Sequence, residues 1–327
     1  MLLTVAIPNY NGAAYIRDTI ISCRNISLPH DAFEILIVDN ASTDNSVKIA
    51  GELTALFPNI RIIENSVNIG RLPNWKKCIS EARGTYLNFL FVTNEFHKDN
   101  DIHELARIME RDDSISMSVS PFFIETSQGQ SALINVFEGR SVKKEGIKFI
   151  QDRLLHDGEL ICGYLQANLM RVIDLIDIQL NEALPYCADQ IFAGQALLKR
   201  KYVYFSTRPR VVLGIYKNPQ RFTANSKAED IMKNFLSAAH ILTRMVDIKP
   251  SKLTRFYGEQ LRILFIMKFF NSHNFSMKSN YLKSLIYVLE SARDEGIRIA
   301  DIVAHFIIKA AMNKLKPFIK LMRRLLY

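Results

Sequence analysis

Residues 35–44 read ILIVDNASTD. Four apolar β-formers, Ile35 to Val38, run into an acid and then into small polar residues, the pattern of a buried parallel strand that delivers Asp39 to its carboxyl end. Open α/β sheets bind their ligands at that edge. A carboxylate placed there can accept hydrogen bonds from a ribose or a base, while Asn40 to Asp44 can turn the chain and cap the next helix. Taken alone the stretch fits either role, and the neighbouring sequence decides.

Upstream, Leu2 to Ile7 is a short β-branched-rich run stopped by Pro8, Asn9, Tyr10, Asn11 and Gly12, after which Ala14 to Ile26 has helical spacing. Downstream the pattern predicts a helix from Asn45 to Phe57, a strand from Ile60 to Glu64, and a polar turn, NSVNIGRLPN. A helix holding Trp75, Cys78 and Ile79 comes next, then an apolar strand from Tyr86 to Val92 that ends at Thr93, Asn94 and Glu95. Strands alternating with helices imply βαβ units and a parallel sheet. The middle of the chain is less regular. A strand is expected over Ser114 to Pro121, a helix over Lys144 to Leu155, and a return toward the sheet over Ile161 to Asn168. Asp189 opens a helical pattern, and strands follow over Lys201 to Ser206 and Arg210 to Tyr216. From Ala228 onward amphipathic helical segments dominate, interrupted near Pro250 and residues 271–274. The expected organisation is an α/β domain over residues 1–225 and a helical region over 226–327.

With 327 residues, 48% of them hydrophobic and 23% charged, the chain can bury a sizeable core and is not a disordered protein. A net charge of +9 and a pI near 9.3 call for an anionic partner: nucleic acid, a phosphate-bearing substrate or a membrane surface. No nucleic-acid motif and no basic, aromatic-rich strand pattern is found, which sets nucleic acid aside. Cys23, Cys78, Cys162 and Cys187 are scattered without a CxxC pair, so buried reduced thiols are expected. The opening MLLTVAIPNYNG lacks a basic leader and a cleavage site, and reads as the first strand of a cytoplasmic protein. No uncharged apolar run approaches the ~18 residues of a membrane span. After Asp301 no carboxylate occurs, while Lys309, Lys314, Lys316, Lys320, Arg323 and Arg324 accumulate beside an apolar stripe of Ile308, Ala311, Leu315, Phe318, Met322 and Leu325. Such a helix suits peripheral attachment to an anionic membrane face; packing on its own domain is the alternative.

Five pieces together carry a family resemblance: IPNYNG at Ile7 to Gly12, VDNASTD at Val38 to Asp44, NIGRLPNW at Asn68 to Trp75, ARGTYLNFLF at Ala82 to Phe91, and ADQ at Ala188 to Gln190. In order and spacing, residues 1 to about 220 resemble a family 2 glycosyltransferase of the GT-A fold, of the kind that builds bacterial surface polysaccharides. The resemblance implies a nucleotide-binding sheet flanked by helices. It also implies inverting transfer of a sugar from a nucleotide-sugar, with UDP or dTDP as nucleotide, to a hydroxyl of a glycan acceptor, lipid-linked in many such pathways. Pro8 and Tyr10 then lie at the nucleotide base, where Tyr10 either stacks on the ring or packs the loop. Asp39 corresponds to the acid that meets the base or ribose. Asp44 is either a second polar contact or a helix cap. Asn68, Gly70, Arg71 and Asn74 form the next contact, with Gly70 admitting close backbone approach and Arg71 facing a phosphate. Trp75 reads as core. Asp189 stands where the resembled enzymes place the catalytic base, the alternative being a carboxylate that suits the first turn of a helix. Asp99 and Asp101 read as solvated caps.

Two departures stand against the family pattern. The strand YLNFLF should lead to paired acids holding Mg²⁺ or Mn²⁺ on the diphosphate, yet Thr93 and Asn94 occupy those positions and Glu95 is the one carboxylate nearby. A histidine expected shortly after a Tyr-Arg pair is replaced by Asn218, Pro219 and Gln220 following Tyr216 and Lys217. Either Glu95 and His97 rebuild a metal site, or cations such as Lys217 and Arg221 stand in for the metal, or the domain binds a sugar nucleotide without transferring it.

Overall fold

The computed structural model describes residues 1–125, 131–134, 137, 139–157, 165–214, 228–260 and 281–305. At its centre, β1 (Leu3–Asn9) pairs in parallel with β2 (Phe33–Asp39) on one side and β4 (Tyr86–Phe89) on the other. β3 (Ile60–Glu64) continues the parallel set beyond β2. Every residue of β2 is buried, which is why its sequence is apolar without alternation. The register sets Asn9 opposite Asp39 and Asp39 opposite Glu64, so the carboxyl ends of three strands finish level.

Among the described residues the sheet has eight strands in the order β3-β2-β1-β4-β10-β6-β11-β9, the last four being β10 (Asn168–Arg171), β6 (Ile115–Val119), β11 (Tyr202–Phe205) and β9 (Val142–Glu145). It is mixed, in contrast to the expected parallel sheet, because β10 runs antiparallel to both β4 and β6. On one face, Val5, Ile7, Ile35 and Ile37 share a core with Ile16 and Ile20 of α1 (Ile16–Ser22) and Ala50 of α2 (Ser46–Glu52). Against β1 and β2 also packs α3 (Arg71–Glu81), which buries Leu72, Trp75 and Cys78. Each such side chain withdrawn from water contributes about 1.5–3 kcal/mol before entropy is counted.

A second sheet, of order β5-β12-β7-β8, is built from β5 (Asn94–Phe96), β12 (Val211–Leu213), β7 (Phe122–Glu125) and β8 (Ser131–Ile134). Its strands are three or four residues long, too short for alternation to register. The expected Tyr86–Val92 strand therefore ends at Phe89, and Asn94 begins a strand of the other sheet. The helix expected from Lys144 also starts later. Val142–Glu145 pairs with β11 as an edge strand, its lysines covering the edge and Lys143 Nζ lying 4.4 Å from the Tyr202 ring; α5 (Gly146–Asp152) and a π-helical turn, Arg153–Asp157, follow.

The chain divides into two units. One comprises Met1–Ile147, Cys162–Ala183 and Ala188–Arg221 and contains both sheets; the other comprises Lys148–Ile161, Leu184–Cys187 and Phe222–Tyr327. Within the second, α7 (Ala228–Met245) packs with the helix Tyr281–Asp294, and His240 Nε2 lies 2.9 Å from the Tyr257 hydroxyl. The break near Pro250 is a 3-10 turn, Pro250–Lys252. The interruption at 271–274, Cys162 and the basic tail lie outside the described residues.

Candidate active site

The strands β1 to β4 are each followed by a loop that contains one residue with positive φ: Asn11 (50°), Ala41 (59°), Gly70 (90°) and Thr93 (92°). Such conformations cost on the order of 1–3 kcal/mol for residues with a side chain, and surrounding contacts must hold them. All four lie at the carboxyl edge of the parallel strands, where the order reverses between β1 and β4. That is the crevice in which open sheets take their ligands.

Hydrogen bonds hold these loops almost to saturation. Asp39 is 1% exposed. Its Oδ1 accepts from Asn9 Nδ2 (2.6 Å) and the Ser42 hydroxyl (2.6 Å), and its Oδ2 from the Ser42 backbone N–H (2.8 Å). Asp39 thus ties the end of β1 to the turn after β2, and Oδ2 keeps capacity for a further donor. The Asp44 carboxylate spans two elements, Oδ2 accepting from Ala13 N–H (2.9 Å) and Oδ1 from Ser46 N–H (3.0 Å) at the start of α2. Burial alone pushes the Asp44 pKa up, but the Ser46 hydroxyl and the backbone donors outweigh it and leave the group below its ordinary value. Asp44 acts here as a cap that also closes the first loop.

A lattice of neutral amides continues across the edge. Asn40 donates to Asn68 Oδ1 (2.7 Å) and accepts from Asn65 Nδ2 (3.0 Å) and Ile69 N–H (2.9 Å). Asn74 accepts from Asn65 (2.9 Å) and donates to the Val38 carbonyl (3.0 Å), and Lys77 Nζ donates to Asn65 Oδ1 (2.7 Å). Asn68 also receives the Gly70 N–H at 2.9 Å, stabilising the left-handed turn from which α3 begins. Asn9, Asn40 and Asn65 were not picked out from the sequence. Amides that hydrogen-bond one another carry neither charge nor periodicity, and the available signal is their placement at a strand's last residue (Asn9) or one residue past it (Asn40 and Asn65).

Arg71, the first residue of α3, is exposed, and its guanidinium carbon lies 5.0 Å from the centroid of the Trp75 ring. Trp75 is buried, as expected, and stacks on Phe91 at 5.0 Å. Phe91 in turn lies 5.8 Å from Phe89, whose ring meets Phe192 edge-on at 6.1 Å. Phe192 belongs to α6 (Ala188–Leu197), one turn beyond Asp189. The aromatic series links α3 to α6 through Trp75 and Phe192, and the charges of Arg71 and Asp189 act on each other. Asp189 is half-buried, and withdrawal from water raises its pKa; the Gln190 N–H (2.9 Å to Oδ1), the Gln190 side chain and the Arg71 charge offset part of that rise. A carboxylate with its pKa moved toward neutrality is suited to accept a proton.

The 93–95 segment offers a poor cation cage. Asn94 is 4% exposed and its Oδ1 accepts the Gly214 N–H at 3.2 Å, joining β5 to the end of β12. Glu95, next along an extended strand, lines a recess of about 280 Å³ with Asp18, Ser22, Arg24 and Asn25 of the segment around α1. His97 Nδ1 accepts the Asp99 N–H at 3.2 Å, and its ring packs 5.0 Å from Phe123. Among the described residues no three of His, Cys, Asp and Glu come together in a way that could hold a metal ion. Among the described residues, then, no carboxylate cage for a cation is formed.

Pro8 is half-buried within the β1–β2 pairing, and Tyr10 projects from the first loop with 53% of its surface exposed, open to a planar ligand. Lys217 and Arg221 lie outside the described residues. Asp99 is exposed, as expected for a solvated residue, but Asp101 is not solvated. It is 6% exposed at the start of α4 (Ile102–Arg111), accepts from the Ser206 hydroxyl and faces the charge of fully buried Arg210, whose pKa burial pushes down to about 10. The strand that delivers Arg210 could not be paired with Asp101 from sequence, since more than a hundred positions separate them.

Known proteins agree with this architecture. S. aureus TarS (residues 1–349, in complex with UDP-GlcNAc) superposes with a TM-score of 0.66 at 17% identity, covering 90% of this chain and 81% of that one; the UDP complex gives 0.62. At such identities the likeness establishes the fold, a GT-A type sheet flanked by helices. Among curated relatives, the putative teichuronic acid biosynthesis glycosyltransferase TuaG of Bacillus subtilis is 32% identical over 36% of this chain and 46% of its own length. The uncharacterized glycosyltransferase MG025 of Mycoplasma genitalium is 26% identical over 80% of this chain and 86% of its own. The minor teichoic acid biosynthesis protein GgaA of Bacillus subtilis is 27% identical over 61% and 44%. This chain thus spans less than half the length of TuaG and of GgaA. The family model described as glycosyl transferase family 2 matches residues 4–171, just over half of the 327, and the chain belongs to that family.

Proposed function

We propose that the protein is an inverting glycosyltransferase that moves a sugar from a UDP- or dTDP-sugar onto a hydroxyl of a lipid-linked glycan during surface-polysaccharide synthesis. The observation that carries this reading is the strained carboxyl edge of β1 to β4, its loops closed by Asp39 and Asp44, together with the half-buried Asp189 carboxylate at the start of α6. Tyr10, Asp39 and the Asn68–Arg71 turn are the donor side, and Asp189 is the base. Asp189 takes the acceptor hydroxyl's proton as that oxygen bonds to the anomeric carbon; the bond from that carbon to the diphosphate breaks on the opposite face, and one displacement inverts the centre. The departing charge needs stabilisation that Thr93 and Asn94 do not give a metal. Lys217 and Arg221 are assigned that work, so transfer is independent of Mg²⁺ or Mn²⁺. Support for the nucleotide comes from TarS, crystallised with UDP-GlcNAc and with UDP.

A catalytically silent sugar-nucleotide binder within an assembly complex is the second reading, favoured by the commitment of Asn94 to the Gly214 backbone. Incubation with UDP-GlcNAc and dTDP-sugars separates the two. Thermal stabilisation together with release of nucleoside diphosphate supports the enzyme; stabilisation without release supports the binder.

No helix among the described residues is long and apolar enough to cross a membrane. The proposed location is the cytoplasmic face, with the Lys- and Arg-rich tail on anionic lipid. Deleting residues from Lys309 onward should abolish sedimentation with anionic liposomes while leaving a folded core. A truncated protein that aggregates, with an intact one that ignores liposomes, would make the tail a packing element.

A further inference from the structure

We infer that Asn40 is a positioning residue for the donor side: its side chain grips the Asn68–Gly70 turn and orients the Asn68 amide so that its N–H groups meet acceptor oxygens of a nucleoside diphosphate. The inference rests on the proposed assignment of that turn to the donor. Asn40 follows Asp39 directly, is 3% exposed, and has its backbone N–H held by the Asn9 carbonyl at 2.8 Å. From that anchor one amide reaches three consecutive residues of the loop after β3. Its Nδ2 donates to Asn68 Oδ1 (2.7 Å) and to the Gly70 carbonyl (3.3 Å), and its Oδ1 accepts the Ile69 N–H (2.9 Å). Asn65 Nδ2 donates to the same Oδ1 at 3.0 Å, so the Asn40 side chain is committed at both ends.

Backbone groups fix which way each amide points. The Ile69 N–H can only donate and the Gly70 carbonyl can only accept, so Asn40 must present Oδ1 to the first and Nδ2 to the second. Asn68 Oδ1 takes the Gly70 N–H (2.9 Å) together with Asn40 Nδ2, which directs the Asn68 amide nitrogen away from the lattice. The far end is set in the same sense: Asn74 Nδ2 donates to the Val38 carbonyl (3.0 Å), and Lys77, a donor alone, meets Asn65 Oδ1 (2.7 Å). Asn68 is exposed, and among the described residues no acceptor takes its amide hydrogens. What the turn offers a ligand is thus a hydrogen-bond donor, complementary to a phosphate or carbonyl oxygen. Gly70 has a φ of 90°, and its N–H bond to Asn68 and its carbonyl bond from Asn40 hold that left-handed backbone on both sides.

The test is a double-substitution cycle on the intact protein, read by UDP calorimetry, with dTDP in its place if the wild type binds that nucleotide instead. Asn40→Ala and Asn68→Ala should each weaken binding about tenfold, the lower end for a hydrogen bond to a charged group. The double variant should be at most about twofold weaker than Asn68→Ala, because Asn40 acts through Asn68. Asn40→Asp keeps the size and the acceptor but sets a carboxylate oxygen against Asn68 Oδ1, and should weaken binding as much as Asn40→Ala. It takes the place of Asn40→Ala in the cycle if that variant does not fold. Solvent exchange of the Gly70 amide, followed by NMR, reads the grip without ligand and should accelerate in both Asn40 variants. Its signal is assigned by ¹³C′-isoleucine and ¹⁵N-glycine labelling, since Ile69–Gly70 is the single Ile-Gly step in the sequence. Penalties that add in full, wild-type affinity in a folded Asn40 variant, or an unchanged Gly70 exchange rate each overturn the inference. Failure of the underlying reading looks different: wild-type affinity in Asn68→Ala, or no nucleotide binding by the wild type, removes the turn from the donor side whatever Gly70 exchange shows, and the inference falls with it.

Discussion

The two sides of the carboxyl edge are built on opposite physical plans. On the donor side, the ends of β1, β2 and β3 are locked by Asp39, Asp44 and a lattice of asparagines that hydrogen-bond one another and the backbone. At the start of α6, Asp189 has its neighbour Gln190, the charge of Arg71 and a withdrawal from water that raises its pKa. The first arrangement holds left-handed backbone at Asn11, Ala41 and Gly70 in place and gives a ligand a rigid surface. The second leaves a charge under-solvated, and therefore reactive. Rigidity and reactivity are thus assigned to different loops, and substitutions on the two sides should fail in different ways.

The largest expected effect falls on the reactive side. Asp189→Asn keeps the shape and removes the proton acceptor, so turnover should drop about 100-fold or more while UDP affinity is nearly retained. Loss of binding in step with turnover would place Asp189 in the donor site. On the rigid side the pattern reverses. Asp39→Ala strips partners from Asn9 and Ser42, and donor or nucleoside diphosphate affinity should weaken by about 1.5 to 3 kcal/mol by calorimetry. Unchanged affinity in a folded Asp39→Ala would confine Asp39 to holding the turn.

A smaller effect tests how the leaving group is stabilised. Transfer should persist in chelator and fall about tenfold or more in Arg221→Ala. Strict dependence on Mg²⁺ or Mn²⁺ would mean that Glu95 or another acid completes a metal site after all. The smallest effect is on stability. The folded-state pKa of Asp189 is raised, so the folded protein holds a proton that the unfolded chain releases, and stability falls as pH rises through that window. Asp189→Asn should therefore be more stable than the wild type at neutral pH, the gap closing as pH falls toward the ordinary carboxylate range. Urea melts at a series of pH values check this, and a gap that is absent or reversed contradicts the desolvation account.

What could be read from the sequence follows the same division. The parallel strands were legible because each is a short run of β-formers that ends in a turn, with β1, β2 and β4 buried on both faces: Ile60–Glu64 matches its expected bounds, and Asp39 ends β2 as ILIVD implies. Trp75 in the core follows from the same helical spacing that places Cys78 and Ile79. The second sheet was not legible, since NEF at Asn94–Phe96 and VVL at Val211–Leu213 acquire strand character from a partner far along the chain. Asp101 escaped for a related reason: a carboxylate ahead of a helix looks like a solvated cap until Arg210 and Ser206 are folded against it. At the site, the charged residues announced themselves, whereas the amides of Asn9, Asn40 and Asn65 did not. Their role lies in mutual geometry that no local pattern encodes.

The measurement that tests the central claim most directly is release of nucleoside diphosphate from a panel of nucleotide-sugars, UDP-GlcNAc first, by the wild-type protein with divalent cation and again in chelator. The account predicts release under both conditions with at least one donor. Binding of UDP without release from any donor, metal present or absent, would contradict it and leave a sugar-nucleotide binder in place of the enzyme.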